Sequence, residues 1–335
     1  MTESPRVSVV VPTYNRRARL ARVLGGFDRQ TVPASTFELV IVDDGSKDDT
    51  QSWLAENSAR SYAVKTLRQE NGGPARARNA GIAAAAGELV LFIDDDVEPT
   101  PELVAEHLRF HDAEADVVVM GPLASLSHYA QPWVAWEQAK IERQYAAMER
   151  KEWEPSFRQF WTGNASVARA HILAAGGFDV SFKRAEDIEL GRRMHERGLK
   201  FRFNPKARGL HHAERSLEAW IAMHKSYGEL EVQIFGGFGN DELVDVLAHN
   251  WSTIHPATRW LVQKSLGRPL RHAAASRLLK GFLELGAAVG KPVGAEQACG
   301  ALANLTYWQA SVDALGRDRA RAVFERGDAF RRERR

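Results

Sequence analysis

Three short, largely apolar runs, each closed by polar residues, constrain the fold of this chain most strongly. Residues 7–11 (VSVVV) are followed by Pro12, residues 39–42 (LVIV) by two aspartates, and residues 88–93 (ELVLFI) by three. Such runs, rich in β-branched residues, are typical of strands buried on both faces. Helical stretches of roughly a dozen residues lie between them, so the pattern predicts βαβ units and an α/β fold with a mostly parallel sheet.

The pattern changes in the second half of the chain. Residues 123–165 are rich in Trp, Tyr and Gln and show no clear period. After Ser216 the pattern is helical to the end, with breaks near Gly236-Gly237, Pro256, Pro269 and residues 290–294. We predict a catalytic domain over residues 1–234 and a helical region over residues 235–335, in which Trp251, Trp260 and Trp308 belong to the core.

Composition excludes several classes of protein. The 335 residues include 45 Lys and Arg against 43 Asp and Glu, which is not the basic excess of a general nucleic-acid binder. The single cysteine, Cys299, excludes an internal disulfide and a thiolate zinc site. No signal-peptide pattern or run of eighteen apolar residues occurs, so we expect a cytoplasmic location. The last nineteen residues hold eight arginines and four acids, and this end is a candidate for peripheral contact with the inner face of the membrane. The alternative, which is more common for a short basic tail, is a solvated end.

Carboxylates stand at the strand ends, where open parallel sheets bind their ligands. No G-x-G-x-x-G turn follows the first strand and no P-loop pattern occurs, which disfavours the usual dinucleotide and P-loop sites. Residues 43–46 (DDGS) and 94–96 (DDD) would repel a diphosphate unless a divalent cation lay between them. The acids therefore predict a Mg²⁺ or Mn²⁺ site beside a diphosphate. The open alternatives are an Asx turn for the first cluster and a solvated loop for the second.

Two histidines, His107 and His111, stand four residues apart on a predicted helix, as in a metal-binding pair. No acidic motif surrounds them in the sequence. We interpret them as surface histidines.

Six motifs occur in a characteristic order: VSVVVPTYNR, LVIVDDGSKDDT, NGGPARARNAGI, GELVLFIDDDVEP, GNASVARA with GGFD, and AEDIELGRRM. The series resembles the family 2 glycosyltransferases, which have the GT-A fold, and it covers about residues 5–230. The C-terminal third matches no motif of this kind.

The resemblance implies a role for each matching residue. Those expected to bind the nucleotide-sugar are Pro12, Thr13, Asn15, Asp44, Arg78, Asp94 and Asp95. Asp96 and His211 match the metal ligands, with His212 as the alternative to His211, and the implied cofactor is Mn²⁺ or Mg²⁺.

The Glu186-Asp187 pair matches the family's catalytic motif, with Asp187 as the general base. The alternative for this pair is the ordinary preference for acids in a first helical turn. Residues 163–166 and 176–179 match the acceptor and sugar side.

The implied function is metal-dependent, inverting transfer of a sugar from a nucleotide-diphosphate donor to a hydroxyl of a glycan, a lipid-linked acceptor or a small molecule. Two alternatives remain open. A nucleotidyltransferase also uses acids on such a sheet, but it should carry a glycine-rich basic loop after the first strand. A non-catalytic sugar-nucleotide or glycan-binding module should lack the metal acids or the base.

Overall fold

The computed structural model describes residues 4–236, 240–289 and 294–333. Its contacts divide the chain into two compact units. One comprises Met1–Ser127 and Ala139–Ala213, and the other comprises His128–Gln138 and Glu214–Arg335. This division falls before the predicted boundary at residues 234 and 235, and it assigns an additional short segment to the second unit.

A seven-stranded sheet organises the first unit. The strands of this unit are β1 (Val7–Thr13), β2 (Phe37–Asp43), β3 (Ala63–Arg68), β4 (Leu89–Ile93), β5 (Val97–Pro99), β6 (Val117–Met120), β7 (Leu123–Ala124), β8 (Asn164–Ala168), β9 (Lys200–Phe203) and β10 (Gly209–His211). The large sheet has the order β3-β2-β1-β4-β8-β6-β9 and a small one the order β5-β10-β7. In the large sheet β8 is antiparallel to both neighbours and the other pairs are parallel, which confirms the predicted mostly parallel α/β sheet.

Helices connect these strands. They are α1 (Arg17–Phe27), α2 (Thr50–Asn57), α3 (Pro74–Ala84), α4 (Leu103–Ala113), α5 (Pro132–Glu149), α6 (Arg169–Ala174) and α7 (Glu186–Glu196). The three predicted strands are confirmed, and every residue of β2 and β4 is buried. Burial on both faces explains why these runs are continuously apolar instead of alternating.

The sheet register brings the polar strand ends to one edge. Thr13 at the end of β1 pairs with Asp43 at the end of β2. Val10 pairs with Phe92, so β4 runs beside β1 in the same direction and delivers residues 94–96 to the same edge. Helix α1 returns close to β5, where a Cβ on Gly26 would lie 2.5 Å from the Pro99 side chain and 2.9 Å from its carbonyl oxygen.

The interpretation of the two histidines as surface residues is wrong for His107, and His111 is half-buried. His107 is buried, with Nδ1 2.8 Å from Ser166 Oγ and Nε2 2.9 Å from Asn164 Oδ1. His111 Nε2 lies 2.9 Å from the same serine oxygen. Burial lowers the pKa of His107 to about 4, so it is neutral near pH 7 and joins α4 to β8. The strand β8 is buried but contains polar residues, so its sequence lacks the apolar run that usually indicates a buried strand.

The second unit is helical, as predicted. Its helices are α8 (Leu217–Gly236), α9 (Asn240–Thr253), α10 (Pro256–Ser265), α11 (Pro269–Val289), α12 (Ala295–Leu315) and α13 (Arg317–Glu333). Gly236 ends α8, and Pro256 and Pro269 begin α10 and α11. The predicted breaks at Gly237 and residues 290–293 lie outside the described residues. Among the helices that the structure describes, none is long and apolar enough to cross a membrane.

An aromatic cluster forms the core of this unit. The Trp251 ring lies 5.0 Å from Trp308 and 4.4 Å from Phe324, measured between ring centroids. The core placement of Trp251 and Trp308 is confirmed. The core placement of Trp260 is wrong, because 61% of this residue is exposed.

Adjacent glycines in α1 give a matched pair of stability variants. Gly26→Ala would press a methyl group against Pro99, including its backbone oxygen, so we expect the free energy of unfolding to fall by about 1–3 kcal/mol. In Gly25→Ala the nearest atom is the mobile end of Arg29, 3.7 Å away, and stability should be unchanged or rise by up to ~1 kcal/mol. Urea unfolding followed by circular dichroism measures both. Equal effects would contradict the close approach of α1 and β5.

Candidate active site

The loops after β1 and β2 form one bonded unit. The Asp44 amide donates to the Thr13 carbonyl oxygen at 2.9 Å. Asn15 lies in the left-handed region, with φ of 55°, which asparagine tolerates better than most residues. Its amide donates to Ser46 Oγ at 2.9 Å and its side-chain oxygen accepts from the Lys47 amide at 2.7 Å. Two sequence motifs thus form a pair of strand-end loops joined by hydrogen bonds. Pro12 precedes the first loop as a residue of β1.

The Asp44 carboxylate is buried and turned toward the segment that precedes α3. It accepts hydrogen bonds from Gln69 Nε2 at 2.6 Å, from the Gly72 amide at 2.9 Å and from the Gly73 amide at 2.8 Å. Its neighbour Asp43 accepts from the Ser46 amide at 2.8 Å, which is the Asx turn considered as an alternative. One acid of the pair therefore forms a turn, and the other fixes the start of α3 beside the sheet edge.

The three aspartates after β4 have different environments. Asp94 is the most exposed of them and bonds Arg78. The Asp95 carboxylate is buried and accepts from Thr13 Oγ1 at 2.9 Å and from Arg16 Nη1 at 2.8 Å. Burial raises the pKa of Asp95 to about 6, although the Arg16 charge opposes this. Its contacts show that Asp95 joins the DDD loop to the end of β1.

Asp96 faces a histidine and two arginines. The pairing of β10 with β5 places His211 opposite Val97, directly after Asp96. His211 Nε2 lies 3.8 Å from Asp96 Oδ1, whereas His212 Nε2 lies 2.8 Å from Glu98 Oε2. Of the two adjacent histidines, His211 is therefore the one that faces the DDD loop.

Asp96 and His211 could hold a divalent cation between them. Both side chains are partly accessible, and their nearest donor atoms are 3.8 Å apart. In the described ranges no group of three or more His, Cys, Asp and Glu side chains is arranged to hold a metal ion. A two-donor protein site suits Mg²⁺, which commonly keeps waters and completes its octahedron with substrate phosphates. Asp96 and His211 therefore suit a cation that also binds oxygens of a diphosphate.

Arg78 connects the DDD loop to α7. Its guanidinium is buried and donates to Asp94 Oδ1 at 2.8 Å and to Glu186 Oε1 at 2.6 Å. Burial alone would lower the pKa of Arg78, but the two carboxylates outweigh it and the pKa is raised. The guanidinium carbon lies 5.8 Å from the centre of the Phe178 ring. One arginine thus brings acids from two distant motifs to the same place.

Asp187 follows Glu186 in the first turn of α7. Its carboxylate oxygens accept from the Ile188 amide at 2.8 Å and from the Thr162 amide at 3.4 Å. Burial, and then the neighbouring Glu186 charge, raise the pKa of Asp187 to about 7, while Arg78 acts in the opposite direction. A carboxylate whose pKa lies near the working pH can accept a proton from a substrate hydroxyl.

The segments matched to the acceptor side lie beside these acids. Asn79, next to Arg78 on α3, donates to the Phe178 carbonyl oxygen and accepts from the Phe178 amide, both at 2.8 Å. A Cβ on Gly163 would lie 3.2 Å from Asp94 Oδ2. The structure therefore places all the predicted site residues along one sheet edge, and their individual roles stay predictions.

The sequence does not single out two arginines that lie at this edge. Arg16 contacts Asp95 and lies 3.5 Å from Asp96, and Arg19 Nη1 lies 3.2 Å from Asp96 Oδ2. The available signal was the basic run RRAR after the first strand. Its spacing gives no indication of which arginines turn toward the aspartates.

Comparison with known proteins identifies a family domain in the first half of the chain. Residues 8–172 match the sequence pattern of Glycosyl transferase family 2. The chain carries a domain of this family. Validoxylamine A glucosyltransferase of Streptomyces hygroscopicus subsp. jinggangensis is 34% identical over 246 residues, which are 65% of this chain and 58% of that protein. The family resemblance of the motifs is thus confirmed. This chain spans less than two thirds of the length of the first named relatives that it matches.

Solved structures show the same fold at low identity. This chain resembles Staphylococcus aureus TarS 1–349 in complex with UDP-GlcNAc, with a TM-score of 0.58 and 19% identity over 98% of this chain and 92% of that one. It also resembles the mannosyltransferase PcManGT from Pyrobaculum calidifontis in complex with GDP-Man and Mn²⁺, with a TM-score of 0.55 and 22% identity over 98% of this chain and 81% of that one. The predicted GT-A fold with a helical C-terminal region is confirmed.

Removing the buried arginine should destabilise the catalytic unit. Arg78→Met leaves Glu186 buried without its partner, so we expect the free energy of unfolding to fall by about 3 kcal/mol. Adding Glu186→Gln should recover part of this loss because the uncompensated charge is gone. Arg76→Met, at an exposed position of the same helix, is the control and should change little. Chemical denaturation gives the free energy of unfolding of the unchanged protein, the two single variants and the double variant. If Arg78→Met lost no more stability than Arg76→Met, the structural role of the Arg78 bonds to Asp94 and Glu186 would be contradicted.

Proposed function

We propose that this protein transfers a sugar from a nucleotide-diphosphate donor to a hydroxyl acceptor with inversion at the anomeric carbon. The observation that carries the proposal is the Arg78 bridge between Asp94 and Glu186. It brings the acids that suit a metal-bound diphosphate and an acid that suits a general base to one sheet edge. The family assignment supports the same reaction.

The donor-binding roles follow the strand ends. Pro12, Thr13, Asn15 and Asp44 would contact the base and ribose, because they stand together on the bonded loops of β1 and β2. Asp94 and Arg78 would lie on the diphosphate side. We assign Asp95 a supporting part in donor binding, through the hydrogen bond that it accepts from Thr13.

Asp96 and His211 are the proposed metal ligands. A bound Mg²⁺ or Mn²⁺ would neutralise charge on the departing nucleoside diphosphate. Arg16 and Arg19 already partly neutralise the Asp96 carboxylate, and they would remain close to the diphosphate. A cation with two protein ligands leaves coordination positions for phosphate oxygens.

Asp187 is the proposed general base. It would accept the proton of the acceptor hydroxyl while that oxygen forms a bond to the anomeric carbon, and the bond from this carbon to the diphosphate oxygen breaks on the opposite face. A single displacement of this kind inverts the configuration. Glu186, held by Arg78, would position Asp187 and raise its proton affinity.

The relatives suggest which donors to test first. Their names and bound ligands include a glucosyltransferase, UDP-GlcNAc and GDP-Man. Transfer releases a nucleoside diphosphate, whereas a nucleotidyltransferase working in the synthetic direction releases pyrophosphate. A non-catalytic module would bind the donor and release neither product. Identification of the phosphate product therefore separates the proposal from both alternatives.

Asp187→Asn should remove most of the activity without unfolding the protein. We expect kcat to fall by about 10²–10⁴-fold, the usual contribution of a general base. In the unchanged protein kcat/KM should rise with pH, reach half of its plateau near pH 7 and level off above about pH 8, because only the deprotonated carboxylate accepts a proton.

The matched control is Glu196→Gln, at the exposed end of the same helix, which should keep both the activity and the pH profile. The melting temperature of each variant checks the fold. If the Asp187→Asn protein kept the kcat of the unchanged protein and the same rise of kcat/KM near pH 7, another group would be the base.

Metal binding should distinguish the two adjacent histidines. In calorimetric titrations of Mn²⁺ with UDP present, His211→Ala should weaken binding by at least about tenfold, because it removes one of two protein ligands. His212→Ala, whose side chain contacts Glu98, should bind Mn²⁺ nearly as the unchanged protein does. The reverse order of effects, or full transferase activity in EDTA, would reject the proposed ligands.

A further inference from the structure

Helix α11 has an apolar face that points to solvent. Leu270, Leu278 and Leu285 are 86%, 76% and 64% exposed. At 100° per residue they lie within about 80° of one another on the helix, and the partly exposed Phe282 extends the same face. The opposite side of α11 carries Leu283, which is fully buried. Helix α11 therefore has apolar side chains on its buried side and also on its solvent-exposed side.

One large aromatic side chain of the preceding helix, α10, is exposed as well. Trp260 lies on α10 and is 61% exposed, which makes it the most exposed aromatic residue in the described part of the chain. Exposed apolar patches larger than isolated residues usually mark a binding surface for a protein or a membrane. We name Leu270, Leu278, Phe282 and Leu285 the α11 face, and Trp260 is a separate exposed ring on α10.

The charged residues of α10, α11 and the loop between them are almost all basic. Residues 255–289 contain six basic side chains and one acid, which are Arg259, Lys264, Arg268, Arg271, Arg277, Lys280 and Glu284. Arg259 is paired with Asp328 and does not contribute. Arg271 and Arg277 are exposed and, by helical spacing, lie on α11 beside the leucines. The face thus combines exposed leucines and the Phe282 ring with basic side chains of the same helix.

We propose that the α11 face binds the surface of an anionic phospholipid bilayer. Helices that lie in the headgroup region combine Leu, Phe and Trp with Lys and Arg beside them. Each basic side chain near such a surface adds attraction, and the apolar side chains insert between the lipids. The proposal is independent of the transferase reaction.

Charge decides between a bilayer and a second copy of the chain. Two copies joined through the α11 face would bring basic borders together, with Glu284 as the single acid in residues 255–289 of each copy to offset them. An anionic bilayer instead complements this border. The arginine-rich C-terminal end is a weaker candidate, because α13 mixes its arginines with acids and no large apolar side chain of its described part is strongly exposed.

Vesicle flotation with the full chain tests the proposal. One set of vesicles is phosphatidylcholine alone, and the other contains about 30% phosphatidylglycerol as the anionic lipid. We expect binding to the anionic vesicles at least about tenfold tighter than to the neutral ones, and weaker binding as the salt concentration rises.

Variants assign the binding to the α11 face. Leu278→Glu with Leu285→Glu should weaken binding by more than about tenfold, since the apolar contact is replaced by repulsion. Arg271→Ala with Arg277→Ala should weaken it by about tenfold through lost attraction. The control Leu173→Glu changes a leucine of α6 that is 51% exposed and should bind like the unchanged protein. Circular dichroism checks the helix content of every variant.

Three outcomes would overturn the proposal. The first is that the protein does not bind to anionic vesicles. The second is that the α11 variants bind normally, whereas a triple variant with Arg332→Ala, Arg334→Ala and Arg335→Ala no longer binds. The third is a dimer in analytical ultracentrifugation that Leu278→Glu with Leu285→Glu dissociates, which would make a second copy the occupant of the face.

Discussion

The candidate site depends on the hydrogen bonds that the buried guanidinium of Arg78 donates. It bonds Asp94 from the loop after β4 and Glu186 from the start of α7. A buried carboxylate or guanidinium is costly without a partner, so Arg78 and Glu186 require each other, and the more exposed Asp94 adds a second bond to Arg78. The bridge also sets the environment of Asp187, where burial and Glu186 favour the protonated form and Arg78 opposes them. Fold stability and proton affinity are therefore coupled at this position.

Much of the sheet could be predicted because its strands are buried on both faces. The runs before Pro12, Asp43 and Asp94 appear as continuous apolar segments, and all three are strands. The strand β8 could not be predicted in this way, since its buried Asn164 and Ser166 are satisfied by His107. A polar residue whose partner is distant in the sequence gives no local signal of burial.

The candidate site was predictable as a set of residues and not as a set of contacts. Motif order identified the acids, yet nothing in the DDD sequence indicates that Asp95 turns inward to Thr13 while Asp96 faces His211. The choice between His211 and His212 depends on the pairing of β10 with β5, which is a tertiary feature. Likewise, Trp260 is predicted to be core because it is a large aromatic residue of the helical region, and the sequence does not show whether another element covers it.

Anomalous diffraction from crystals grown with Mn²⁺ and a nucleoside diphosphate tests the central claim most directly. The account predicts one manganese peak about 2 Å from a carboxylate oxygen of Asp96 and from His211 Nε2, with the diphosphate as a further ligand. The hydrogen bonds of Arg78 to Asp94 and Glu186 should persist in that complex. A diphosphate bound elsewhere, or manganese bound away from residues 94–96, would contradict the assignment of this sheet edge as the donor site.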